Sequence, residues 1–328
     1  MMPRVSLKRL REDRGAALVT VMLLVSIMAA GMAISFDALG FMTKRHTASR
    51  MFEQARYYAL GGEQLALTAA EKLWKAKARL EEAKVVSYPI DGGQIEGVIS
   101  DASNCFNVNS LVSKAGSGGY KADERAMAQY GRLLLHLGFA EREAVGLTGA
   151  LVDWIDSDTR PVLQGAEDYD YAALDTPYRT ANTLVRDLTE LRLVKGYTPE
   201  VLARVGAHLC ARDNTADTVL NVNVLRLADA PLLAAILGPN VSLEFASRLI
   251  ATRPSGGYSD IADFYFERAF EGKAVEQDIR AQTAVKPQRV VSQVRVRFHD
   301  GISRLTSEIW LNDDGAAHVA SHRFGVFQ

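Results

Sequence analysis

Twenty-one consecutive uncharged residues, Ala16 to Phe36 (AALVTVMLLVSIMAAGMAISF), bounded by Arg14-Gly15 and Asp37, constrain this chain more than any other feature. As a helix the run reaches roughly 31 Å, which matches a bilayer core of about 30 Å and exceeds the 7 to 15 residues of a secretory signal. It therefore reads as one retained membrane span. The leader before it carries Arg4, Lys8, Arg9, Arg11 and Arg14 against Glu12 and Asp13. A net positive flank stays cytoplasmic, so everything after Asp37 is expected on the exported side.

The local grammar narrows this further. A short charged leader ends in Gly15, and apolar residues follow with no polar spacer. That arrangement resembles the type III signal of prepilins and pseudopilins, in which prepilin peptidase cuts after the glycine. The resemblance implies cleavage between Gly15 and Ala16 and N-methylation of Ala16. An ordinary bitopic anchor with a chance glycine accounts for the same residues.

Of the 328 residues, 48% are hydrophobic and 23% charged, which suits one large or two modest cores. Without residues 1–15 there remain 33 Lys plus Arg against 37 Asp plus Glu, a net of −4. That balance gives no support to a nucleic-acid partner. The two cysteines, Cys105 and Cys210, both lie on the exported side, where oxidation is permitted. We read them as one disulfide, with two buried thiols as the alternative.

Met51 to Lys84 reads as continued helix, interrupted by Gly61-Gly62. Strand patterns then appear at Gln94–Ser100, Arg289–Phe298, Ile302–Leu311 and Ala316–Phe327, with Asp91-Gly92-Gly93, His299-Asp300-Gly301 and Asn312–Gly315 as turns. The middle, residues 112–285, reads as helical. Helices are expected at Asp123–Leu137, Glu141–Ile155 and Arg179–Val194, and another opens at Thr198-Pro199; Asn223, Ser242 and Ser259 read as caps. Phe106-Asn107-Val108-Asn109 is echoed by Leu220-Asn221-Val222-Asn223, for which capping is the simpler role. Leu188 to Leu209 looks like a helix-hairpin-helix, but Glu190 and Glu200 dilute its basic residues, so packing is the better account. Gly116-Ser117-Gly118-Gly119 lacks phosphate-loop spacing and reads as a flexible loop.

One stretch has site-like chemistry. Between Asp153 and Asp175 stand seven carboxylates and a single cation, Arg160. So many like charges in a short loop call for water or a bound cation, and Ca2+ suits an all-oxygen, irregular ligand set best. The loop is not an EF-hand, because Arg160 stands where an acidic or amide ligand belongs; a solvated acidic loop is the alternative. Motifs of nucleophilic, metallopeptidase or dinucleotide chemistry are missing, and Asp153 with Asp156 makes a weak catalytic pair, so no catalytic residue is assigned.

Taken in order, the leader and span, Asn104–Leu111, Asp153–Asp158, Gly165–Asp168, Thr189–Arg192 and Asn221–Asn223 resemble the minor pseudopilin K family of the type II secretion system. The resemblance implies an α+β fold: a pilin-like long N-terminal helix packed on a small antiparallel sheet, with a large all-helical domain inserted. The expected division is leader 1–15, span 16–36, first pilin-like part 37–111, insertion 112–285 and closing strands 286–328. It further implies a non-enzymatic subunit, structural Ca2+ held by Asp156, Asp158, Glu167 and Asp168 with Asp153 and Asp170 in reserve, and a tip complex with minor pseudopilins I and J. Minor pseudopilin H, the major pseudopilin and prepilin peptidase are the further partners implied. Thr20 occupies the fifth position after the implied cut, where repeating pilins carry Glu; its neutrality fits a subunit with nothing above it. The alternatives are a minor pilin of a type IV pilus and a membrane-anchored periplasmic metal-binding protein or enzyme.

Overall fold

The computed structural model describes residues 9–76, 84–116, 118–266, 270, 275–312 and 314–325. Helix α1 runs from Arg9 to Lys75, about 100 Å at 1.5 Å per residue. The chain then forms, in order, β1 (Lys84–Ile90), β2 (Gly93–Asp101), β3 (Phe106–Asn107), β4 (Val112–Lys114), β5 (Tyr120–Ala122), α2 (Glu124–His136), α3 (Glu141–Ile155), α4 (Asp168–Ala172), α5 (Pro199–Val205), β6 (Leu209–Cys210), β7 (Leu220–Asn221), α6 (Ala230–Leu237), α7 (Leu243–Ala251), α8 (Ile261–Tyr265), α9 (Gln277–Arg280), β8 (Thr283–Ala284), β9 (Arg289–Phe298), β10 (Gly301–Leu311) and β11 (Ala317–Phe324). The leader residues 1–8, residues 77–83 of the expected helix, Ser117 and residues 326–328 fall outside the described residues, and Lys84, the expected last residue of that helix, instead opens β1.

Five strands build one antiparallel sheet in the order β1-β2-β9-β10-β11. β2 and β9 are neighbours, with Asp101 opposite Val290, so the chain between them leaves the sheet and returns at the adjacent strand. Ala102 N donates to Arg289 O at 3.0 Å and closes that neck. The helical region is thus an insertion into a sheet hairpin.

α1 meets the sheet through a stripe of small residues. Ala55, Ala59, Gly62, Ala66 and Ala70 recur at three- and four-residue spacing and are buried. They face buried Ile95, Ile99, Val290, Val294, Val296, Leu305 and Ile309, each worth about 1.5 to 3 kcal/mol on burial. Gly61-Gly62 does not interrupt the helix, contrary to the sequence expectation: a Cβ on Gly62 would lie 2.6 Å from Val294 Cγ1, so glycine here serves close approach. Gly301 carries a similar correction. The left-handed residue of its turn is His299, at φ 48°, while a Cβ on Gly301 would meet Met51 O at 2.7 Å. Glu63, buried within the stripe, accepts from Ser307 Oγ and lies 3.2 Å from His322 Nδ1.

The insertion has its own core, in which α2 packs on α3 and α6, and α6 is apolar on all sides and buried. It is mostly helical and is pinned by three two-stranded pairings, β3 with β6, β4 with β5 and β7 with β8. The repeated Asn motif explains two of them. Asn109 Nδ2 donates to Val185 O and Arg212 O at 2.8 and 2.6 Å, and its Oδ1 accepts from Val185 N at 2.8 Å. Asn223 repeats the pattern with Tyr258 O, Val285 O and Tyr258 N at 2.9, 3.0 and 2.7 Å. Each second asparagine therefore ties distant segments together rather than capping a helix, whereas Asn107 does cap the 3-10 turn Val108–Leu111, accepting from Asn109 N. Asp260, not Ser259, caps α8, whereas Ser242 caps α7 as its type and position suggest.

The helix expected over 179–194 is reduced to a 3-10 turn at Leu188–Leu193. Val185 N donates to Asn109 Oδ1 and Thr180 N to Asp168 Oδ1, which holds the preceding backbone out of the helix, with Asn182 at φ 48°, a case of tertiary contact overriding local propensity. In the adjoining hairpin, Arg204 stacks 3.7 Å from the Phe139 ring and donates to Leu137 O, and Lys195 pairs with Asp170. Those cations are used in packing. Cys105 and Cys210 are bonded beside the β3–β6 pairing, with Cα atoms 5.6 Å apart.

Candidate metal centre

The acidic loop begins where α3 ends. Asp153 lies in the last turn and Asp156 closes the helix, its N–H donating to Val152 O at 2.8 Å. The chain then folds back onto the helix that delivered it. Two glycines permit this: a Cβ on Gly149 would meet Leu163 O at 2.8 Å, and one on Gly165 would sit 1.9 Å from Asp153 Oδ2. Asp153 Oδ1 accepts from Val162 N at 3.0 Å and acts as the strut of the loop. Ser157 anchors the other side, donating its N–H to Tyr120 O and accepting from Tyr120 N through Oγ. Trp154, Tyr171 and Tyr178 form an aromatic wall behind it, with ring centroids 5.3 to 6.2 Å apart.

The fold brings Asp156, Asp158 and Glu167 together, with one carboxylate oxygen from each within 4.8 Å of the others. Asp156 and Glu167 are buried and Asp158 is exposed. Asp153, fully buried, adds its charge nearby. Asp153 Oδ2, Asp156 Oδ1 and both Glu167 oxygens are buried without a hydrogen-bond partner. Such an arrangement is unfavourable unless positive charge or protons compensate it. Accordingly burial, then the neighbouring carboxylates, raises Asp156 and Glu167 to about 7, and burial foremost raises Asp153 to about 6.

Two of the residues expected in the ligand set point elsewhere. Asp168 Oδ1 accepts from Thr180 N and Oγ1 at 2.9 and 2.8 Å, and these bonds hold its carboxyl below the usual range. Asp170 pairs with Lys195 Nζ at 2.7 Å and accepts from Glu167 N, and is lowered chiefly by the lysine. Both fasten α4 in place, which fixes Glu167 just before it. Sequence spacing could not separate these roles, since the six acids are alike in composition. The signal it offered was glycine: Gly149 in the buried half of α3 and Gly165 beside the acids mark the close approach.

The donor set suits calcium. It is all oxygen, irregular, partly buried and carries orphaned charge, and calcium tolerates such a set. Asp153 Oδ2, orphaned beside the cluster, is the protein oxygen best suited to join Asp156, Asp158 and Glu167. Such an ion would supply charge compensation and a fixed loop conformation.

At the other end of the molecule, Gly15 and Ala16 lie within α1. Thr20 is exposed, and its Oγ1 donates to Ala17 O at 2.9 Å, so the hydroxyl is satisfied inside the helix. An 18-residue window of this helix averages a hydropathy of 2.4 and is nowhere buried, long and apolar enough to cross a membrane.

Residues 104–214 and 220–286 each match a family model described as type II secretion system (T2SS), protein K. A type II secretion system protein K from Pectobacterium carotovorum is 35% identical over 261 residues, covering 76% of this chain and 78% of that protein. One from Klebsiella pneumoniae is 30% identical over 332 residues, covering 96% and 98%. Among solved structures, a chain of the GspK-GspI-GspJ complex from the enterotoxigenic Escherichia coli type 2 secretion system superposes with a TM-score of 0.70 at 22% identity, covering 86% of this chain and all of that one.

Proposed function

On the premise that this chain belongs to the type II secretion system protein K family, we propose that it is a non-enzymatic minor pseudopilin that forms the pseudopilus tip with minor pseudopilins I and J. One observation carries the reading: a single helix continues from an exposed apolar segment into a small-residue stripe packed on a sheet, with a bulky lobe inserted between two adjacent strands. The apolar segment is free to bundle with partner helices while the lobe sits above them. The complex in which the structural relative was solved supports I and J as the partners.

The order of events follows from the parts. The span holds the precursor in the inner membrane with its C-terminal lobes in the periplasm. Prepilin peptidase removes residues 1–15, and Ala16 is the site of methylation. The three minor subunits associate, and minor pseudopilin H and the major pseudopilin extend the filament beneath them, so that folded proteins are driven across the outer membrane. Thr20 fits the first subunit of such a stack because no terminal amine lies above it to be neutralised. Calcium at Asp156, Asp158 and Glu167, with Asp153 Oδ2 adjoining, holds the acidic loop of the inserted lobe; the orphaned buried oxygens support this.

Co-purification tests the tip assignment. The chain should co-elute with minor pseudopilins I and J as one complex, and a variant lacking 112–285 should remain a processed membrane protein while secretion is lost. Failure to bind I and J, with the chain folded, would remove it from the tip.

A further inference from the structure

We propose that Lys44, Arg45 and His46 form a basic collar on α1 that engages anionic phospholipid headgroups at the exported face of the inner membrane and sets the depth of the resident subunit. The inference rests on the orientation proposed above. All residues from Ala16 to Arg50 are exposed, and packing against the sheet begins only at Met51. Residues 37–50 are therefore a bare helical stalk. Between Ala16 and Thr43 the only charged side chain is Asp37, after which three basic residues follow in succession.

Height is the first argument. If the hydrocarbon core ends near Phe36, Lys44, Arg45 and His46 stand about 12 to 15 Å above it along the axis, and Arg50, at about 21 Å, lies beyond the headgroups. The headgroup layer is about 5 to 7 Å thick, and a cationic side chain can snorkel about 6 Å back toward it. The intervening residues agree: Leu39, Phe41 and Met42 are 59%, 67% and 61% exposed. Apolar side chains placed openly below a ring of cations describe a helix passing through a membrane interface rather than through water.

Distribution is the second argument, and it selects the occupant. At about 100° per residue, Lys44, Arg45 and His46 project at about 0°, 100° and 200° around the axis, spread over more than half of it. A partner protein touches one face of a helix, whereas a lipid headgroup plane surrounds it. Among the described residues none of the three, nor Arg50 above them, makes an ion pair. Leader removal takes away five cations on the cytoplasmic side, leaving this collar as the basic cluster flanking the helix, so lipid charge should matter most to the processed subunit.

The test uses the full chain, with and without residues 1–15, in nanodiscs of phosphatidylcholine alone or containing phosphatidylglycerol. A nitroxide on Thr47→Cys reports depth by collision with oxygen and with a nickel chelate. Anionic discs should draw the label inward by about two residues' rise, about 3 Å, and high salt or the triple variant K44Q/R45Q/H46Q should abolish the shift. These positions are exposed on a bare helix, so unfolding of the lobes should be unchanged in the variant. Equal depth in both lipids, or a lipid effect that persists in the triple variant, overturns the proposal. So does a variant that loses binding to I and J while depth never responds to lipid, because the collar would then be a protein contact. Both forms are made genetically, so the outcome is independent of whether the peptidase cuts at Gly15.

Discussion

Chelating calcium and then raising the pH should unfold the inserted lobe. Without a cation, Asp156 and Glu167 hold their protons to about pH 7 and Asp153 to about pH 6, whereas the unfolded chain releases them near pH 4. Across that window the folded state binds more protons than the unfolded state, so stability must fall as pH rises. Each titrating group contributes about 1.4 kcal/mol per unit. Because the three titrate as a coupled set, the summed loss from about pH 4.5 to 7.5 is on the order of 5 kcal/mol rather than the full sum, comparable with the whole stability of a small domain. Asp168 and Asp170, whose values are lowered, act in the opposite sense, since their stabilisation is lost as pH falls below about 4. Calcium at a thousandfold excess over its dissociation constant would restore about 4 kcal/mol. Urea unfolding can be followed through Trp154, beside the loop, in a W74F/W310F background that leaves it as the single tryptophan. In chelator the midpoint should drop steadily between pH 5 and 7.5, and in calcium it should not. A chelated protein whose stability stays level or rises over that interval would refute the reasoning.

Four variants probe the frame. Gly62→Val should cost about 2 to 3 kcal/mol by overpacking against Val294, whereas Gly61→Ala, in open space on the same helix, should stabilise by about 0.5 to 1 kcal/mol; paired thermal melts give the comparison. Asn109→Ala removes three hydrogen bonds and strands buried backbone groups of Val185 and Arg212, so about 3 to 5 kcal/mol should be lost in denaturant titration. Replacing both Cys105 and Cys210 by serine opens a 105-residue separation and should lower stability by up to about 4 to 5 kcal/mol on the chain-entropy account.

Much of this fold was legible because its signals are local. The apolar run, the strand alternation at 289–298 and 302–311, and the Thr198-Pro199 helix start all depend on neighbours in sequence and stand where the pattern places them. The misreadings share one cause. Gly61-Gly62 looked like a break and Gly301 like a turn residue because sequence shows the missing Cβ but not the partner backbone or side chain that needs the space. Asn223 looked like a cap because its partners, Tyr258 and Val285, are 35 and 62 residues away. The same limit applied to the acids. Composition marked the stretch, but only the fold separates Asp156, Asp158 and Glu167, which converge, from Asp168 and Asp170, which turn to Thr180 and Lys195.

The central claim is that this is a processed pseudopilin. Intact mass of the protein from cells with and without active prepilin peptidase tests it most directly. The account predicts loss of residues 1–15 only when the peptidase is active, with Ala16 as the new first residue, carrying one methyl if the methylation proposal also holds. An uncut chain, or one cut beyond residue 30, would contradict it.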